Sequence, residues 1–114
     1  MSLAYAAEHL TAAIQSLASS ERPLADRLQT AWEEDVQMLW MQPCLTPELL
    51  REFRDLWHRN TAPSDDPRST RLRALDSAEL VQAVDDLVTL SNRTVVAMAQ
   101  GSGDEKLATL ADLA

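Results

Sequence analysis

The chain has 114 residues, 18 acidic against 10 basic side chains for a formal net charge of −8, and a 46% hydrophobic content. A single domain of this size buries roughly 65% of its unfolded-chain surface and needs neither a metal nor a disulfide to fold. The acidic surplus repels nucleic-acid phosphates and anionic lipid surfaces, so neither nucleic acid nor a membrane is an expected partner.

Leu and Ala dominate the apolar set with 18 and 17 copies, against 7 Val and Ile together and only 2 Gly. Leu and Ala favour helices, β-branched residues favour strands, and a glycine-poor chain has few tight turns, so the composition predicts an all-α domain. One cysteine, Cys44, cannot form an intrachain disulfide, which fits a reducing compartment. The first residues lack a basic leader, and Glu8 and His9 interrupt any apolar run there; no stretch reaches the ~18 to 20 apolar residues that span a bilayer. The expected location is the cytoplasm.

The first predicted helix runs from Ser2 to about Ser19, where Leu3, Ala7, Leu10, Ile14 and Leu17 recur at the spacing of one helical stripe. Ser19 to Pro23 then supplies a capping hydroxyl and a proline suited to a first helical turn. A second helix is expected from about Glu21 to Met41, with Leu24, Leu28, Trp32, Val36 and Trp40 in a band stepping by four, ended by Gln42-Pro43.

The segment Leu45-Thr46-Pro47-Glu48-Leu49-Leu50 carries the sharpest local signal. Thr46 is an N-cap, Pro47 occupies the first helical position, Glu48 faces the positive dipole end, and Leu45 with Leu50 forms a hydrophobic staple. The third helix, Pro47 to about Arg59, presents Leu49, Leu50, Phe53, Leu56 and Trp57 on one face, with Glu48–Arg51 and Asp55–Arg59 expected to pair across its surface. All three tryptophans lie on the second and third helices, which predicts a core-bearing hairpin of the two.

Residues 60–67 are turn-rich and hold two prolines, and Arg68 to Leu75 reads as a short helical turn placing Leu72 and Leu75 against the bundle. Asp76 followed by Glu79 is a capping-box variant opening a fourth helix from about Ser77 to Ala99, stopped by Gly101-Ser102-Gly103. Its Leu80, Val81, Val84, Leu87, Val88, Val95 and Met98 predict a face wide enough for two neighbouring helices. The expected domain covers residues 1–103, and residues 104–114 form a tail or a short docked fifth helix through Leu107, Leu110 and Leu113.

Three pieces, Pro23-Leu24-Ala25-Asp26-Arg27-Leu28, Pro47-Glu48-Leu49 through Phe53 and Leu56, and Asp76 through Glu79 with its following apolar face, give the chain a layout that resembles a loose group of small bacterial all-α proteins. The resemblance implies a helical fold and, resting on packing and capping residues, carries no activity or site residue with it.

Several residues are of types that carry chemistry. Asp55 and His58 lie three apart on one helical face, a spacing used in metal-binding bundles, but a di-iron site needs a second such motif and further inward carboxylates. His9 on an acidic helical bundle raises phosphotransfer, yet the Lys and Gly that usually accompany such a histidine are missing from His9-Leu-Thr-Ala-Ala, and an exposed or cap-proximal histidine is expected instead. Glu33-Glu34-Asp35 and Asp85-Asp86 are adjacent carboxylates, which do not share a helical face and read as solvated surface. Cys44 stands near a helix start that lowers thiol pKa values, but without a histidine partner it reads as a buried or incidental cysteine. Arg68, Arg71 and Arg73 form a compact basic run without interleaved aromatics, better suited to carboxylates than to nucleic acid.

These observations predict a four-helix, mainly antiparallel bundle with no catalytic, cofactor-binding or metal site, no cofactor and no identified small-molecule substrate. The expected role is non-catalytic protein interaction, because apolar residues on the second and fourth helices outnumber what one small core requires; the partner is a second copy, in a symmetric dimer, or another protein. The competing expectation is a phosphotransfer or other histidine-dependent protein using His9 or His58. A histidine set beside a carboxylate in a polar opening would favour it.

Overall fold

A computed structural model describes residues 2–19, 21–40, 43–61 and 72–100, the side chain of Arg73 excepted. Four α-helices carry the fold: α1 (Leu3–Ala18), α2 (Leu24–Glu34), α3 (Pro47–Asn60) and α4 (Ser77–Ala99). Two 3-10 turns, Val36–Leu39 and Leu72–Ala74, follow α2 and precede α4. The protein is an all-α helical bundle, and no described helix is long and apolar enough to cross a membrane. Residues 101–114, which include the expected glycine stop and fifth helix, lie outside the described residues.

Side-chain caps set the helix starts. The Ser2 hydroxyl accepts from the Tyr5 amide at 3.3 Å, and Thr46 Oγ1 accepts from Leu49 at 3.4 Å with Pro47 in the first turn. At α4 the capping box is complete: the Glu79 amide donates to the Asp76 carboxylate at 2.8 Å, and the Asp76 amide donates to the Glu79 carboxylate at 3.1 Å. Leu45 and Leu50, the expected staple, are both buried.

The second helix departs from expectation at both ends. Pro23, at φ −51° and ψ 148°, is the N-cap rather than the first helical residue, so α2 starts at Leu24. It then stops at Asp35, whose φ of −126° breaks the helical run, and the chain tightens into the 3-10 turn. Val36 and Leu39, both in the 3-10 turn after the break, are fully buried and keep to the core side of the Leu28–Trp32 stripe.

α1 packs against both α2 and α4, while α3 packs its backbone against α4. The expected hairpin of the second and third helices is therefore replaced by side-chain contact. Trp57 of α3 lies at the centre of an aromatic group, with ring centroids 4.3 Å from Trp40, 5.2 Å from Trp32 and 5.7 Å from Phe53. Rings of this size fill the space between α2 and α3 and hold their backbones apart. Leu72, from the second 3-10 turn, is fully buried beside α2, and Leu75 packs on the core edge, as the sequence predicts.

Candidate functional site

His9 is only partly exposed, and it meets the C-cap residue of α2, Asp35. It projects from α1 toward the break after α2, where its Nδ1 lies 2.9 Å from Asp35 Oδ1, and the Tyr5 ring meets it edge-on at 4.5 Å. An ionised carboxylate only accepts, so in this contact Nδ1 is the donor. Both side chains are partly covered. No local sequence signal links them, because 26 residues separate the two positions.

The other acidic and histidine candidates disperse. Glu33 and Glu34 point to solvent, with Glu33 accepting from Gln29 at 2.8 Å, while Asp35 alone turns inward. Asp85 is exposed, and Asp86 pairs with Arg59 across the α3–α4 boundary at 3.1 Å. His58 and Asp55 are exposed, and no three His, Cys, Asp or Glu residues among the described ones come together to hold a metal ion. Arg68 and Arg71 lie outside the described residues, as does the side chain of Arg73.

Cys44 is fully buried. Desolvation penalises its thiolate and pushes the thiol up to about 11, opposite to the lowering expected beside a helix start. Such a thiol stays protonated and inert at neutral pH.

The α3–α4 boundary is ionic. Arg93 pairs with both Glu48 and Glu52, and Arg59 with Asp86, so Glu48 and Arg59 reach across to α4 instead of forming the expected pairs along α3. Their i, i+3 and i, i+4 neighbours compete poorly once a second helix lies within reach. An open groove of about 380 Å³ follows this boundary between the start of α3 and the end of α4, floored by Leu49, Val96 and Ala97. Neither it nor the two smaller grooves along Arg59 and Asp86 includes His9 or His58.

The largest correction concerns α4. Its buried face is Ala83, Leu87, Leu90, Ser91 and Thr94, rotated away from most of the expected valines. Two of these are polar, and Thr94 satisfies its hydroxyl by donating to the Leu90 carbonyl at 2.8 Å, which removes the cost of burying it. Four of the five exposed large apolar side chains among the described residues stand on this helix: Val81 at 62% exposure, Val95 at 40%, Val96 at 52% and Met98 at 41%. The fifth is Met38. Val84 and Val88 are half-buried, and Val84 leans on the core edge.

Val81, Val84, Val88, Val95 and Met98 thus form one stripe beside the buried face. Positions 81, 88 and 95 are seven apart, as are 84, 91 and 98. That period was present in the sequence, but the same valines also satisfy a broad core face, and only packing distinguishes the two uses. Comparison with family models, curated proteins and solved structures finds no match to this chain.

Proposed function

We propose that the protein is a non-catalytic interaction module whose docking surface is the apolar stripe along α4. The observation that carries this is the row Val81, Val84, Val88, Val95 and Met98, exposed or half-exposed on a helix whose core face is already filled by other residues. Apolar side chains scattered singly need no explanation; a row of them at helical spacing along one helix marks a surface awaiting a partner. The excess expected on the second helix is consumed by the tryptophan group, so the surplus is concentrated on one element. The single buried cysteine fits residence in a reducing cytoplasm.

Photo-crosslinking in the source cell tests this reading. A photoreactive residue in place of Val88 or Val95 is expected to capture protein, and the same residue in place of exposed Gln82, on another face of α4, is not. Equal capture at all three positions, or none at any, overturns the reading.

A second reading rests on the His9–Asp35 pair, since a carboxylate-oriented imidazole is the arrangement used by general bases and histidine nucleophiles. It predicts an acid-labile phosphate or a loss of function with His9→Gln at unchanged stability. The purely structural role of the pair, tethering α1 to the break after α2, predicts a loss of stability instead.

A further inference from the structure

We propose that the occupant of the α4 stripe is a second copy of this chain, paired through its own α4 in antiparallel orientation. The proposal rests on the interaction-module reading and names the partner.

The stripe is a short heptad seam. Val81, Val88 and Val95 hold one core position of the repeat, and Val84, Ser91 and Met98 hold the other. Its weak point is Ser91, which turns into the protein's own core and leaves a dip in the middle of the row. In a parallel pair the two dips would face each other and leave a void, which is costly in a packed interface. An antiparallel two-fold axis level with residues 89 and 90 removes that void. It sets Val88 over Ser91 of the second copy, Val84 against Val95, and Val81 against Met98.

Every layer then joins an apolar side chain to a complementary one from the same sequence, which is what an isologous interface demands. The flanking charges agree. Asp85 borders the seam, and the antiparallel register brings it beside Asn92 of the second copy, whose amide can donate to it, rather than beside another carboxylate. Asp86 and Arg93 turn toward α3, where they pair with Arg59, Glu48 and Glu52, and stay out of the contact.

The seam is about 26 Å long at the helical rise per residue. One such helix pair falls short of the ~1,200 to 2,000 Å² buried in stable complexes, which makes this a concentration-dependent dimer. Two copies of charge −8 also repel each other, and added salt screens that repulsion without weakening apolar burial. The dimer therefore tightens or stays unchanged as salt rises, whereas a basic partner bound by charge would be released.

Sedimentation of the full chain from about 5 to 500 µM reads this directly. A monomer–dimer equilibrium is expected, retained in about 0.5 M salt, with Val88→Glu weakening it at least about tenfold while helical content is unchanged. Orientation is read by mixing Val84→Cys with Val95→Cys under mild oxidation; Cys44, being buried, needs no replacement. The mixed pair is expected to cross-link and each variant alone is not, because like positions lie about 16 Å apart along the axis. A chain that stays monomeric throughout, a dimer indifferent to Val88→Glu, or cross-links between like positions overturns the proposal. If dimerisation fails while stripe-specific photo-capture succeeds with an adduct of another mass, the interaction-module reading stands and only the identity of the partner falls.

Discussion

α3 and α4 pack against each other, yet they treat their apolar residues in opposite ways. α3 buries every large one it carries, Leu49, Leu50, Phe53, Leu56 and Trp57, whereas α4 leaves Val81, Val95, Val96 and Met98 in the open. The difference lies in distribution. The apolar residues of α3 occupy one arc, so a single orientation buries them all; those of α4 extend farther around the helix than the faces that α1 and α3 cover. What remains is surface, and its order along the helix makes it usable.

The sharpest way to break this contrast is to remove the centre of the α3 side. Trp57→Ala deletes the ring that touches Trp32, Trp40 and Phe53, and the lost transfer energy and remaining cavity should cost about 3 to 5 kcal/mol in denaturant unfolding. Trp32→Ala belongs to the same range, since Trp32 is equally buried. A loss under about 1 kcal/mol for either would place that ring at the surface and remove the contrast.

Cys44, just before α3, sharpens the comparison through pH. Its folded-state pKa is raised to about 11, above the ordinary value of 9.0, because burial disfavours the thiolate. The folded chain therefore binds the proton more tightly than the unfolded chain. The associated stability is fully present below pH 9 and is lost as pH rises from 9 through 11, by about 2 to 3 kcal/mol. Cys44→Ala should unfold with a flatter dependence over that window. Equal slopes would show that the thiol ionises in the folded protein as readily as in the unfolded one.

A smaller effect is expected at the start of α4, where Asp76→Ala removes the carboxylate that accepts from the Glu79 amide. The cap sits at an exposed end, and its loss should lower stability by about 1 kcal/mol. An unchanged denaturation midpoint would show that α4 is held by its packing alone.

The parts of the fold legible in the sequence are those fixed by neighbours a few residues apart. Thr46 with Pro47, and Asp76 with Glu79, mark helix starts through bonds that span one turn, and the structure places both starts at those residues. Asp35 carries no comparable local mark: the helix breaks there while its carboxylate meets His9, a partner remote in sequence. The tryptophans announced a core, but not that their bulk would separate α2 from α3 and leave α3 to α4. On α4, hydropathy favoured valines for the interior, while the interior took Ser91 and Thr94. Thr94 makes this affordable by bonding within its own turn, an accommodation that no hydropathy pattern displays.

The smallest stability effect tests the other half of the comparison. Val81 and Val95 contribute little to the monomer's core, and serine has a helix propensity close to that of valine, so Val81→Ser with Val95→Ser should change the stability of dilute protein by no more than about 0.5 kcal/mol. Dilution matters because a partner bound only to the folded state would add its own stabilisation by mass action. At high concentration the same double substitution should lower the denaturation midpoint relative to the unsubstituted chain, by an amount that grows with concentration. Val36→Ser supplies the contrast, since Val36 is fully buried after α2 and its replacement leaves both a void and a polar group inside. A double substitution on α4 that costs more than about 1 kcal/mol in dilute solution would mean the stripe supports the monomer itself, and α4 would then resemble α3 rather than differ from it.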